Sequence, residues 1–205
     1  MTKLEILLEE QSAEMMLRSL VPKIVGNERA RAVAFRRFRG KYALLRQLPA
    51  ILKGYAARIK SGEAIRILVL LDQDSDDCTE LKRKLEQIAL DAGLVTRSVA
   101  TADKPFQILN RIAIEELEAW YFGDIQALCR AYPKVEEHLG RLREADPDSI
   151  SEASHALKRV FEKGYKKRNL SKIEVAERIA QYMQPERNRS RSFQVFREGL
   201  KACLT

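Results

Sequence analysis

The segment Ile65–Leu71, IRILVLL, constrains this chain more than any other: six aliphatic residues and one arginine stand without a break. The run is too short for a membrane span and too continuous for a strand with one wet face. It is what a central strand looks like when helices cover both faces of its sheet. Parallel neighbours require crossover helices, so the expected class is α/β, built from βαβ units with a mostly parallel sheet flanked by helices.

The flanking sequence supplies those units. Residues 3–9, KLEILLE, read as a strand that ends in acids, and the apolar positions Met15, Met16, Leu20 and Ile24 recur at helical spacing after a tight turn. A second strand is expected over Arg31–Phe38. Gly40 follows it, and then a helix from Tyr42 to Ile59 that contains Pro49 and carries Leu44, Leu48, Ile51, Leu52 and Tyr55 on one face. After the central strand a helix spans Cys78–Ala92, stopped by Gly93. Short extended pieces follow at 95–100 and 106–114. Beyond residue 115 the strand signal ends, and helices are expected at 124–132, 134–143, 149–163, 171–183 and 192–204, broken by Pro133, Asp146-Pro147, Gly164 and Pro185. The chain thus divides into an α/β part, residues 1–122, and an all-helical C-terminal part, residues 123–205.

Composition narrows the class further. With 45% hydrophobic and 32% charged residues, the chain is not of a disordered or low-complexity type. No apolar run reaches roughly 18 residues, and acids stand where a secretory core should continue, so a cytoplasmic protein with no membrane partner is expected. Cys78, Cys129 and Cys203 are odd in number and widely spaced, which argues against a disulfide framework or a zinc knuckle. His138 and His155 read as surface or satisfied structural residues.

Net charge is +8, unevenly spread. Residues 28–60 hold ten Lys/Arg against one acid, residues 157–205 hold thirteen against five, and the remainder sums to −9. Basic flanks around an acidic middle suit a polyanion-binding surface built about a metal site; the alternative is a pair of solvated helical faces.

The acids fall where an open α/β sheet places its ligands, just beyond the carboxyl ends of strands. Three strands end in them: at Glu9-Glu10, at Asp72-Gln73-Asp74-Ser75-Asp76-Asp77, and at Glu115-Glu116-Leu117-Glu118. So many carboxylates at one edge raise each other's pKa or recruit a cation, and an all-oxygen donor set suits Mg²⁺ or Mn²⁺. Asp76 and Asp77 also suit the N-terminus of the helix they precede. A calcium loop starting at Asp72 fails, because its sixth and twelfth positions are Asp77 and Arg83 rather than Gly and Glu. A haloacid-dehalogenase-type phosphatase also sets D-x-D after a strand, but gives Glu9 and Glu116 no role. Lys41, after Gly40, is placed to orient a phosphate at the same edge. Arg189 and Arg191 in NRSRSF are candidate backbone-phosphate ligands, with Ser190 and Ser192 as donors; Ser192 serves equally as the N-cap of the last helix. Trp120, Tyr121 and Phe122 read as core.

A strand ending in Glu, a later central strand ending in D-x-D and a basic surround resemble the Toprim domain of topoisomerases, primases and the overcoming-lysogenization-defect nucleases. More closely, LLEEQSAE, LLDQDSDDC, RIAIEELEAWYFGD and NRSRSF, in that order, are similar to the Toprim-like bacterial family known as domain of unknown function 4276. The Toprim block Glu-Gly-x-Thr-Glu is altered here, with Glu10 at the Gly position, Ser12 for Thr and Ala13 for the last Glu. The choice between Glu9 and Glu10 as ligand therefore stays open. The resemblance implies Glu9 as metal ligand or general acid/base, Mg²⁺ held by Asp72 and Asp74, and Glu116 with Glu118 completing the cluster. On spacing alone, a helix here pairs Glu115 with Glu118, whereas a continuing strand pairs Glu116 with Glu118; the family's Glu-Leu-Glu favours the second. It further implies an Mg²⁺-dependent nuclease acting on nucleic acid, DNA ahead of RNA, beside a separate ABC-type ATPase encoded nearby, in bacterial defence. The contrasting expectation is a non-catalytic nucleic-acid-binding or ATPase-adaptor protein with a vestigial acid cluster.

Overall fold

A computed structural model of the chain describes residues 2–166 and 171–205, so Lys167 and Arg168 of the second basic stretch lie outside the described residues. Strands β1 (Lys3–Leu8), β2 (Val33–Arg37), β3 (Ile65–Asp72) and β4 (Ile108–Ala113) form a sheet of order β2-β1-β3-β4, parallel throughout. The connections are helical. Helix α1 (Gln11–Val25) and the short α2 (Asn27–Ala30) lie between β1 and β2, α3 (Lys41–Lys60) between β2 and β3, and α4 (Cys78–Asp91) between β3 and β4.

The central strand is buried on both faces, as its composition requires. Leu4, Ile6, Leu8, Leu68 and Leu70 join one apolar cluster with Met16, Leu17 and Leu20 of α1. Leu7, Ile67, Val69 and Leu71 join a second with Leu44, Leu48 and Leu52 of α3 and Leu81 and Leu85 of α4. A Leu→Ala change at one of these fully buried sites costs about 2–5 kcal/mol. The outer strand β2 forms one edge of the sheet, with Arg36 and Arg37 exposed.

The C-terminal segment contributes α5 (Ala119–Gly123), α6 (Ile125–Ala131), α7 (Ala153–Tyr165), α8 (Lys172–Tyr182) and α9 (Arg191–Cys203). Helix α8 packs along α1, and α9 packs on β4 and β3. Ala176 and Ile179 of α8 and Phe193 and Phe196 of α9 thereby enter the first cluster, alongside Leu4, Ile6, Leu68 and Leu70 of the sheet. The two parts of the chain therefore share one core on this face.

Four expectations need correction. Residues 95–100 are not a strand: Thr96 makes one isolated bridge to Ile108, its hydroxyl bonds Ser98 at 2.8 Å, and the Val99 N–H turns back to the Thr96 carbonyl. The expected helix over 134–143 is two 3₁₀ turns, Pro133–His138 and Gly140–Arg143, parted where Gly140 takes a φ of 50°. The helix expected from 149 starts at Ala153, after a 3₁₀ turn over Pro147–Ser149. The N-cap of the last helix is Ser190, not Ser192: the Ser190 hydroxyl accepts the Phe193 N–H at 3.0 Å.

Trp120, Tyr121 and Phe122 are core, as expected. The Trp120 ring meets Phe193 edge-on at 5.1 Å and its N–H donates to Ser192 at 2.8 Å. Asn188 donates to the Trp120 carbonyl, and a Cβ on Gly123 would lie 2.0 Å from the Asn188 Oδ1. The AWYFG and NRSRSF blocks therefore interlock, which gives most of their polar residues a structural task.

Candidate functional site: a carboxylate pocket at the switch point

Strand order 2-1-3-4 reverses direction between β1 and β3, and a doubly wound sheet opens a crevice beyond the carboxyl ends of the strands at such a point. Glu9 follows β1 there, and Asp72 closes β3. Strict pleating would send them to opposite faces, since the register pairs Leu8 with Leu70. The chain has left the pleat by Glu9, however, whose Oε1 reaches over the end of β3 and accepts the Asp72 N–H at 2.5 Å. Both residues line one narrow pocket with Glu10, Ser12 and Glu118, large enough for about one water.

Glu118 arrives by a turn. Neither of the alternatives for 115–118 holds: β4 stops at Ala113, Glu115 takes a φ of 59°, and α5 starts only at Ala119. The backbone of Asp74, itself at a φ of 51°, donates to the Glu115 carbonyl at 2.7 Å, so the loops after β3 and β4 are clasped together. This turn separates the two glutamates. Glu118 is 8% exposed and faces the pocket, whereas both oxygens of Glu116 are taken by Ser154, its N–H at 2.6 Å and its hydroxyl at 2.8 Å. Glu116 thus caps α7 instead of lining the pocket, where its charge also suits the positive helix N-terminus.

The electrostatics are those of crowded acids. Burial pushes the Glu9 carboxyl up to about 7, opposed by the Asp72 N–H and Lys41. Burial also holds Asp72 well above the usual carboxylate range, reinforced by Glu9, Glu118, Asp74 and Glu10. Glu118 is raised by burial as well, and Lys172 pulls it back. Two lysines flank the site. Lys41 lies 2.7 Å from Asp74 and 2.9 Å from Asp76 and donates to the Gln73 carbonyl, so its donors are committed to the loop and a phosphate would have to displace one. Lys172 lies 3.4 Å from Glu118 and 4.0 Å from Glu10. Sequence reasoning missed Lys172, because only the packing of α8 on α1 brings it here.

Asp77 caps α4 by accepting the Glu80 N–H. Arg189 is elsewhere, donating to the Arg143 carbonyl at 2.8 Å and lining a separate cleft with Asp124 and Arg187; Arg191 is exposed at the start of α9. Asp124, the last residue of the ELEAWYFGD block, is fully buried and pairs with Arg187 at 2.8 Å. His138 and His155 are not in the pocket. Among the described residues no three His, Cys, Asp or Glu side chains already close on an ion-sized centre, and no helix is long and apolar enough to cross a membrane.

Fold and site together define a doubly wound α/β protein with a carboxylate-lined switch point. Residues 8–201 match the model of a domain of unknown function, DUF4276, and the chain belongs to that family. Comparisons with curated proteins and with solved structures find no match.

Proposed function

We propose that this chain is a divalent-cation-dependent, Toprim-like nuclease that hydrolyses phosphodiester bonds. The observation that carries the reading is the gathering of Glu9, Asp72 and Glu118 in one pocket at the switch point, with their protonation pushed up. The donor set fits a hard cation, since the acid side chains offer oxygen alone and the charges that act most on Asp72 are those of other carboxylates. Asp72 and Glu118 would hold Mg²⁺ or Mn²⁺ with Glu9 and Glu10 beside them, while Asp74, expected as a ligand, stands outside the pocket lining and is paired with Lys41. When bound, such a cation supplies Lewis-acid stabilisation of phosphoryl oxygens. Glu9 keeps its Oε1 on the Asp72 N–H and exchanges a proton near neutral pH at Oε2, the property a general acid/base needs. Lys41 steadies the Asp74–Asp76 loop.

A second reading, a non-catalytic adaptor for nucleic acid or an ATPase, is favoured by the lysines. Lys41 and Lys172 already offset Asp74 and Glu118 without a metal. Mn²⁺ titration calorimetry and plasmid nicking, with the chain alone and with an ABC-type ATPase encoded nearby, separate the two. The nuclease reading expects Mn²⁺ binding and cleavage, both lost in Asp72→Asn; neither in the wild type leaves the adaptor.

A further inference from the structure

An open cleft of about 760 Å³ shares Glu9 and Glu10 with the carboxylate pocket and is lined by Arg36, Arg37, Arg39 and Arg46. All four arginines are exposed, and among the described residues Arg39 and Arg46 have no carboxylate within 4.0 Å. Arg37 has Glu14 at 3.7 Å. Clustered guanidinium groups of this kind favour phosphate, which they can bind through two parallel N–H donors.

The aromatic residues narrow the ligand. Tyr42, one turn before Arg46, is 78% exposed, and the Arg46 guanidinium lies 5.9 Å from its ring centroid. Arg36 sits similarly over Phe38 at 5.7 Å. Phe38 is half-buried against the core, so the exposed ring is that of Tyr42; an exposed ring beside arginines is a platform for an unstacked base, and bases inside a duplex cannot reach it. We propose that this cleft seats single-stranded nucleic acid, its phosphates on Arg36, Arg37, Arg39 and Arg46 and a base on Tyr42, which stands outside the lining next to Arg46, and leads the backbone to Glu9 and Glu10. The proposal rests on the nuclease reading only for what happens at the end of that path.

Fluorescence anisotropy of the full chain with a short labelled oligothymidylate, in EDTA, tests it. The single strand is expected to bind about tenfold tighter than the matching duplex. Arg39→Gln with Arg46→Gln should weaken binding roughly tenfold and shallow the log–log salt slope by about 0.7 per lost phosphate contact. Tyr42→Ala should cost roughly five- to a hundredfold, with Tyr42→Phe close to wild type. Lys53→Gln with Lys60→Gln, which removes equal charge from the far half of α3, should change binding less than about twofold. Tighter duplex binding, an inert Tyr42→Ala, an equal loss in the lysine pair, or binding to anionic vesicles but not to the oligonucleotide would each overturn the proposal. Intact binding without Mn²⁺-dependent cleavage would sink the nuclease reading and leave the cleft assignment standing; cleavage insensitive to the arginine and tyrosine changes would do the reverse.

Discussion

The Glu9 carboxylate accepts the backbone N–H of Asp72 at 2.5 Å, tying the residue after β1 to the last residue of β3. The bond holds two acids in one pocket although repulsion would part them, and the burial of that position, which the bond only partly offsets, governs how Glu9 titrates in the metal-free protein. Glu9 is raised by burial from 4.5 to about 7 in the folded state. Below pH 4.5 both states are protonated; between 4.5 and 7 only the unfolded chain releases the proton. The share of stability that Glu9 controls should therefore fall across that window by about 3 kcal/mol and level off above it. Urea unfolding in EDTA against pH measures this, and Glu9→Gln should remove Glu9's share of the slope. A Glu9→Gln slope equal to that of the wild type from pH 4.5 to 7 would contradict it.

Asp72→Asn removes a carboxyl raised by burial and by four neighbouring acids. Above neutral pH the metal-free variant should be at least as stable as wild type, because it no longer carries a charge that burial and the neighbouring acids disfavour, while Mn²⁺ binding is lost. Differential scanning fluorimetry with and without Mn²⁺ gives both readings. A large drop in Tm in EDTA would mark Asp72 as structural.

Glu116→Ala should cost about 1–2 kcal/mol by leaving the start of α7 without its cap, and should leave Mn²⁺ affinity unchanged. Calorimetry decides between this and the ligand role that the family resemblance implies: a tenfold loss of affinity would mean that Glu116 turns into the pocket when the cation binds.

Asp124→Ala strips the buried partner of Arg187 and the acceptor of the Ala127 and Gln184 N–H groups. A loss of about 3–5 kcal/mol in urea unfolding is expected. The fluorescence of Trp120, the chain's single tryptophan, reports the loosening of α5 against α9. An effect below about 1 kcal/mol would mean that Gln126 alone can hold Arg187.

The strands and the acids beyond them were legible because burial on two faces leaves a continuous aliphatic run, and the charge that follows it marks the edge. Ile65–Leu71 and Asp72 are the clearest instance. What the sequence could not carry was the path of short turns. Residues 115–118 fit a strand or a helix by spacing, and the left-handed Glu115 makes them neither, sending Glu118 to the pocket and Glu116 to Ser154. Lys172 lies 100 residues from Asp72 in sequence and reaches the acids only through tertiary packing. Arg189 and Arg191 looked like phosphate ligands because their motif is basic, yet the same motif holds Trp120 and caps α9.

The edge position of β2 has a consequence for the behaviour of the chain in concentrated solution. An outer strand offers unpaired backbone groups to any other extended segment, and charged side chains on it discourage such pairing. Arg36 and Arg37 stand on that strand, so they act as gatekeepers against edge-to-edge association. Neutralising them would expose a templating surface, and variants at these positions should show self-association by light scattering before they show any loss of fold.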